Sequence, residues 1–461
     1  MRDTLKFKKN LRIMMIIFVS LLAALIIYMA YSILTYGEKW FATPYNPRVQ
    51  EAMQSDDAGA ILDRKGVKLA WTSGGERKYS RDSSTRKAVS HVVGDAEGKT
   101  RGAETVFAKY IYGFDQDVVD KVKNAVKGKA SKGSDVTLTI DAGLSKYIYG
   151  LMGNTQGSCV IMNYKTGEVI ASVSVPTFDP TNMEDTSTGT RLVDRATMGR
   201  YPPGSTMKII TATAALESGI DLEYTCNGTD IIEGHKITCA NGEEHGKENM
   251  EQAFTHSCNT YFANLAEKVG GAKLQQVAER FGYNKVFNFS DFTLYKSNFE
   301  LSGNLGDLAW AGIGQYKDLI TPMHEAMIAG AVANGGVMVE PKFLKDVESG
   351  SLFSFNYTTT TVGSVMNSSD AETIKKYMYD VVKRGTGTSA AIRGTTMYGK
   401  TGTAEYTEDG EVKNNSWFVG FIDDEKHPYA VAVVGEGAGF GSKFAAPLAK
   451  KAITYAMENV D

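Results

Sequence analysis

Between Ile13 and Leu34 the chain runs for 22 residues without one charged side chain. As a helix this run is long enough to cross a hydrocarbon core roughly 30 Å thick. Arg2, Lys6, Lys8, Lys9 and Arg12 precede it against a single Asp3, a basic flank that places the N-terminus in the cytoplasm. A cleaved signal peptide has a shorter apolar part that ends in small residues; here Tyr28, Met29 and Tyr31 stand where cleavage would occur. The expectation is an uncleaved single-pass anchor over residues 13–36 behind a cytoplasmic tail of residues 1–12. Everything after Tyr36 then lies outside the cytoplasm.

The remaining chain is long enough for two domains, one with a large core. A formal net charge of −3 from 461 residues gives no basic surface for nucleic acid. Four cysteines permit one or two disulfides without demanding them. Cys159 and Cys258 read as small buried residues of a strand and a helix. Cys226 and Cys239 flank a polar, glycine-containing loop, with His235 inside it and His245 beyond. A disulfide Cys226–Cys239 is the preferred reading, and closing that loop would contribute about 3 kcal/mol. The alternative is a structural zinc on Cys226, Cys239 and His245, completed by His235 or Asp230.

Residues 37–135 are polar and rich in turns, with short strands expected at Gly59–Leu62 and Val67–Trp71 and a charged helix or linker at Lys121–Lys132. His91 there reads as an exposed or satisfied structural histidine. From residue 136 the pattern tightens. Val136–Ile140 alternates as a strand, Leu144–Met152 is helical, and Ser158–Asn163 with Glu168–Val175 forms a hairpin about Lys165-Thr166-Gly167. Helices follow at about 250–268, 272–281, 322–334 and 370–383. Strands return at about 395–404, 416–422 and 428–435, before a final amphipathic helix Ala446–Met457. This order predicts an α+β fold, an antiparallel sheet with helices packed on it. Gly435–Gly439 is glycine-rich but lacks the lysine and following helix of a phosphate loop.

Three short motifs carry chemistry. In Tyr201-Pro202-Pro203-Gly204-Ser205-Thr206-Met207-Lys208, proline and glycine stop what precedes and a helix starts at Ser205. Serine and lysine three apart share a helix face, and desolvation lowers a lysine pKa, so Lys208 can act as base to a Ser205 nucleophile. In His256-Ser257-Cys258-Asn259-Thr260, Ser257 and Asn259 can both reach a cleft only where the backbone turns. There a hydroxyl can relay protons and a carboxamide can hold a peptide carbonyl. In Tyr398-Gly399-Lys400-Thr401-Gly402-Thr403-Ala404, Lys400 offers a cation to a substrate carboxylate, and Thr401 and Thr403 offer hydroxyls. Gly402 allows close approach of a ligand backbone, and the N–H groups of Thr403 and Ser205 could form an oxyanion hole.

Taken together, these motifs match the Ser-x-x-Lys, Ser-x-Asn and Lys-Thr-Gly set of penicillin-binding proteins and serine β-lactamases. Thr139-Ile140-Asp141, Thr166–Ala171, Pro176–Pro180, Gly314-Gln315, Thr321-Pro322 and Ala333–Gly336 extend the match. With them the chain resembles the transpeptidase domain of class B penicillin-binding proteins over 136–461. Ile61–Gly66 with Leu69-Ala70 is similar to the start of that family's non-catalytic pedestal, here residues 37–135. The resemblance implies an anchored enzyme that cross-links peptidoglycan stem peptides and is acylated by β-lactams, with a glycan polymerase as partner and no required cofactor. It implies Ser205 as nucleophile, Lys208 as base, Ser257 as proton relay, Asn259 as substrate holder, and Lys400, Thr401, Gly402 and Thr403 around the substrate carboxylate. Tyr316 stands where many relatives have glycine, and the short pedestal resembles that of the smaller class B members. The same residues would serve a D,D-carboxypeptidase or a β-lactamase. A β-lactam sensor or a vestigial cell-wall scaffold is the non-enzymatic alternative.

Overall fold

The structure, a computed structural model, describes residues 2–41, 58–114, 133–183, 190–301, 303–348, 358–408 and 410–460; the expected segment Lys121–Lys132 lies outside them. An α-helix covers Arg2–Phe41. Its apolar part, Phe7–Ser32, is 26 residues, about 39 Å at the helical rise, and its large apolar side chains from Phe7 to Tyr31 are exposed. This is compatible with one membrane crossing.

Beyond the helix a five-stranded sheet forms in the order Leu344–Glu348, Asp135–Leu138, Ile61–Leu62, Lys68–Thr72, Arg77–Tyr79. Ile61 pairs in parallel with Val136, and Leu344–Glu348 runs antiparallel to Asp135–Leu138. One sheet thus joins backbone from both sides of the boundary expected at residue 135. Beside it a buried ion pair links Arg77 Nε to Glu104 Oε1 at 2.7 Å, and the Tyr112 hydroxyl donates to Glu104 Oε2 at 2.9 Å. His91 is a structural histidine, buried, with Nε2 2.9 Å from the Arg191 carbonyl.

The larger sheet is wholly antiparallel, in the order Met397–Glu408, Glu411–Ile422, Tyr429–Gly435, Gly157–Asn163, Val169–Val175. Its inner strands are covered on both faces and read as continuous apolar runs. Alternate residues nevertheless divide between two cores, as the period-2 geometry of a strand requires. Cys159, Ile161, Phe418, Ile422, Val431 and Val433 pack with the helices Ala142–Met152 and Ala445–Asn459. Val160, Met162, Trp417, Val419, Ala430 and Ala432 face the opposite way, toward helices including Pro322–Ala333 and Ser368–Arg384. The hairpin between the first two strands turns where expected. Asn163 Oδ1 accepts from the N–H groups of Lys165 and Thr166 at 2.9 and 3.0 Å, and Gly167 takes φ +87°.

The α+β architecture follows the sequence expectation, with local differences. The single helix expected at 250–268 is two, Met250–His256 and Asn259–Val269, broken at Ser257-Cys258. The 220s to 240s form two small antiparallel pairs, Tyr224–Cys226 with Gly246–Glu248 and Thr229–Ile232 with His235–Thr238. The strand expected to end near 404 continues to Glu408 and pairs with Glu411–Ile422.

Trp417 ties the sheet to the turn before Ser205. It is fully buried, and its indole Nε1 donates to the Pro202 carbonyl at 3.0 Å. Trp417→Phe keeps an aromatic ring but leaves that carbonyl unpaired, so urea denaturation should show a loss of roughly 1–3 kcal/mol.

Candidate active site

Pro202-Pro203 leads into Gly204, whose φ of +56° favours glycine. Gly204 N–H donates to the Gly314 carbonyl at 2.9 Å. A Cβ on Gly204 would come within 2.8 Å of the Thr403 carbonyl oxygen, and one on Gly314 within 2.2 Å of the Gly204 carbonyl oxygen. The backbone therefore passes tightly between the 397–408 strand and the 314 turn. Residues Gly204–Met207 then make a single 3-10 turn, and the α-helix begins at Lys208 and runs to Glu217. Ser205 stands on that lead-in turn, one step before the α-helix proper. It is half-buried and lines a cavity of about 660 Å³ together with Ser257, Asn259, Thr401, Gly402 and Thr403.

Behind the cavity wall lie two fully buried lysines. Lys208 Nζ donates to the Ser257 carbonyl at 2.7 Å and to Asn259 Oδ1 at 2.7 Å, and lies 3.3 Å from Ser257 Oγ. Lys400 Nζ donates to the same Ser257 Oγ at 2.8 Å and to the Thr401 carbonyl at 3.2 Å. Ser257 Oγ thus sits between two amines, and its own O–H remains to donate into the cavity. The sequence places Ser257 there because helix Met250–His256 ends in a left-handed residue, Ser257 at φ 60°, ψ 40°. Cys258 then caps the next helix through Tyr261 N–H. This break is the turn that two functional residues spaced by one require. Asn259 also donates through Nδ2 to the Thr238 carbonyl at 2.9 Å.

Burial depresses both lysines, because removing an ammonium from water favours the neutral amine. Lys208 is held at about 8. Lys400 is lowered well below the ordinary lysine range, by burial first and by the neighbouring Lys208 second.

Strand Met397–Glu408 contributes Thr401, Gly402 and Thr403 as an edge of the larger sheet. A Cβ on Gly402 would meet the Trp417 Cβ at 2.9 Å and the Pro203 carbonyl oxygen at 3.0 Å, so the strand lies directly on the turn before Ser205. The Thr401 hydroxyl lies 2.5 Å from that of Thr386, and the Thr403 carbonyl accepts from Gln315 Nε2 at 3.1 Å. Lys400 was expected to face a substrate carboxylate; instead it is behind the wall and meets the cavity through Ser257 Oγ.

The motif reading passed over several groups. Thr386 and Trp310 line the cavity, and Thr386 follows Gly385, where a Cβ would strike the Thr255 carbonyl oxygen at 2.3 Å. A glycine before a threonine was the available signal. Glu436 accepts from Arg195 Nε and from the Tyr201 hydroxyl, both at 2.7 Å, bracing the start of the Pro-Pro-Gly-Ser turn. Glu325, fully buried, accepts from Thr206 Oγ1 at 2.5 Å beside Ser205.

The cysteines require a correction. Cys226 and Cys239 are free thiols with sulfurs 3.7 Å apart, against about 2.05 Å for a disulfide. Cys258 is buried as expected, and its sulfur lies 3.8 Å from that of Cys239. Neither fourth partner considered for a metal is near the group. Asp230 accepts from the Tyr224 hydroxyl and from Asn264, and the His235 ring packs against Gly306.

The profile described as the penicillin binding protein transpeptidase domain matches residues 157–454. The chain belongs to the penicillin-binding protein transpeptidase family. Peptidoglycan D,D-transpeptidase PbpA of Mycolicibacterium smegmatis is similar at 26% identity, over 90% of this chain and 92% of the relative. Stage V sporulation protein D of Bacillus subtilis is 28% identical over 84% of this chain and 64% of its own length. The D,D-transpeptidase domain of a peptidoglycan glycosyltransferase from Eggerthella lenta superposes with a TM-score of 0.75 at 28% identity, covering 88% of this chain and 99% of that one. The ceftriaxone acyl-enzyme of Mycobacterium tuberculosis penicillin-binding protein A, at 24% identity with 88% and 99% covered, shares the fold with a TM-score of 0.79. These relatives place the chain among the class B penicillin-binding proteins, as the motifs indicated.

Glu325 gives this penicillin-binding protein a pH signature of its own. Burial pushes its carboxyl up to about 7, against about 4.3 in an unfolded chain. The folded state keeps a proton that the unfolded chain gives up, so stability falls as pH rises between those values. Glu325→Gln, which still accepts from Thr206, should be the more stable protein at pH ~8 by up to roughly 3 kcal/mol. In urea denaturation the advantage should vanish near pH ~4, where both carboxyls are protonated.

Proposed function

We propose that this chain is a membrane-anchored peptidoglycan D,D-transpeptidase whose acyl-enzyme forms on Ser205. Ser205 Oγ attacks the penultimate D-Ala carbonyl of a stem peptide, and Lys208, as the neutral amine, takes the hydroxyl proton. The oxyanion that forms is met by the N–H groups of Ser205 and Thr403. Ser257 passes a proton to the amine of the departing D-Ala, and Asn259 holds the donor peptide with its remaining amide hydrogen. Thr401 and Thr403 bind the terminal carboxylate across Gly402, and Lys400 meets the cavity through its hydrogen bond to Ser257 Oγ. An amine of a neighbouring stem peptide then takes the acyl group. A β-lactam enters the same path as a substrate mimic and stays on Ser205. The observation that carries this reading is the meeting of two buried lysine amines at Ser257 Oγ, one of them held near the pH at which it can serve as a base.

The segment to residue 135 serves as pedestal and 136–461 as the catalytic unit. The N-terminal helix anchors both with its basic end in the cytoplasm, and a glycan polymerase supplies the strands to be joined. Acyl transfer is assigned to side chains and backbone amides; a metal at Cys226, Cys239 and His245 has a structural role.

Fluorescent penicillin should label the full chain covalently, and Ser205→Ala should take no label. Equal labelling of the two proteins would end the assignment. Lys208→Ala should slow acylation by at least ~100-fold, the scale of a lost general base. Because Lys208 must be neutral to act, the labelling rate should climb as pH rises through about 8. A rate that is flat from pH ~6 to ~9 would assign the base elsewhere.

A further inference from the structure

Three thiols and one imidazole converge beside the cavity, and two of them, Cys239 and His245, line it. Cys226 ends the strand Tyr224–Cys226, Cys239 follows the strand His235–Thr238, His245 precedes the strand Gly246–Glu248, and Cys258 sits at the break between two helices. Their sulfur and nitrogen atoms all lie within 4.8 Å of one another. We propose that Cys226, Cys239, Cys258 and His245 together hold one zinc ion, in a closed structural site built into the Ser-Cys-Asn segment.

Distances and surroundings favour this over a chance cluster of thiols. Zinc–sulfur bonds of about 2.3 Å in a tetrahedron set sulfurs roughly 3.8 Å apart, and a sulfur–nitrogen edge comes to roughly 3.5 Å. Three of the six edges are 3.7 Å for Cys226–Cys239, 3.8 Å for Cys239–Cys258 and 3.4 Å from Cys226 Sγ to His245 Nδ1, and all six are within 4.8 Å. Donors aim at the sulfurs, as the outer layer of a thiolate site does. Gly228 N–H and Thr260 Oγ1 lie 3.4 and 3.2 Å from Cys226 Sγ, and Tyr261 N–H lies 3.4 Å from Cys258 Sγ. The His245 ring is held in orientation by stacking on His256, centroids 5.6 Å apart and planes at 12°. His256 is in turn fixed by Glu248 Oε1 at 2.6 Å. Three sulfurs and one nitrogen suit zinc and not magnesium or calcium, which take oxygen ligands. Four protein ligands leave no open position, so the ion is structural. Binding replaces the three thiol protons, which leave to solvent, by zinc–sulfur bonds.

The position of Cys258 gives the site a consequence for catalysis, which rests on the proposed roles of Ser257 and Asn259. A bond from Cys258 to the ion fixes the one residue between them. It thereby holds the left-handed Ser257 and the first residue of the next helix where Lys208 and Lys400 meet them. All four ligands are positioning residues here.

The test uses the full chain in detergent, purified under reducing conditions without chelator or added metal. Elemental analysis should find about one zinc per chain. Cobalt in its place should give a thiolate-to-metal charge-transfer band and intense tetrahedral d–d bands. Cys258→Ser should lose most of the metal and the cobalt spectrum, while His245→Cys, which keeps four ligands, should retain zinc and so shows that a substitution here can fold. Ser205→Ala should keep its zinc while losing the penicillin label, which separates the metal site from the acyl-transfer reading. Stripped of zinc, the reduced chain should label roughly 10-fold more slowly or worse, with the rate restored by zinc. Zinc below about a tenth per chain after zinc is offered to reduced protein would overturn the site. So would a cobalt protein without the thiolate band, or a Cys226–Cys239 bond in chains that label at full rate. An unchanged rate in the stripped protein would overturn the link to Ser257 and Asn259.

Discussion

Two lysine side chains with no exposed surface converge on one serine hydroxyl, and the architecture around the cavity follows from that costly arrangement. Their partners are neutral oxygens: a hydroxyl, backbone carbonyls and one carboxamide. The faces of Phe262 and Phe254 lie 5.5 Å from the two amines. Burial in one space depresses both amines, and it outweighs Cys258, Cys239 and Glu248, which favour charge on Lys208 from a distance. Two ammonium groups would repel through that space, so the pair favours at most one proton at a time. That favours proton movement along Lys208, Ser257 and Lys400.

Such a space must be kept free of water, and glycine does much of that. Gly204, Gly314 and Gly402 let three pieces of backbone touch where any side chain would force them apart. Trp417 and Glu436 then fix the turn from two sides, one through the Pro202 carbonyl and one through the Tyr201 hydroxyl. The serine is presented by a clamped backbone rather than by a loop.

Much of this was legible from residue order. The need for a backbone turn at Ser257 and Asn259 and the alternating strands rest on local geometry, which sequence spacing encodes. What escaped depends on contacts between distant segments. Thr386 and Glu325 carry no motif and matter only for what folds against them. Lys400 was expected to offer its cation to a substrate carboxylate, but its amine is buried, 5.5 Å over the Phe254 ring. The Cys226–Cys239 pair suggested a bond because a loop joins them. Cys258 comes from a helix break 19 residues further on, and its sulfur reaches that of Cys239 only in the fold.

The smaller sheet takes strands from three places: residues 61–79, the entry at 135–138, and 344–348, which follow the long helix Pro322–Ala333. Ile61 and Leu62 are bonded along their length to residues 136 and 137, which bond in turn to the 344–348 strand. Force reaching residue 61 is therefore shared with the part bearing the serine through a ladder of amides. Residues 61–62, 135–138 and 344–348 are thereby laced into one sheet, so a push on the first of these strands is felt by the last.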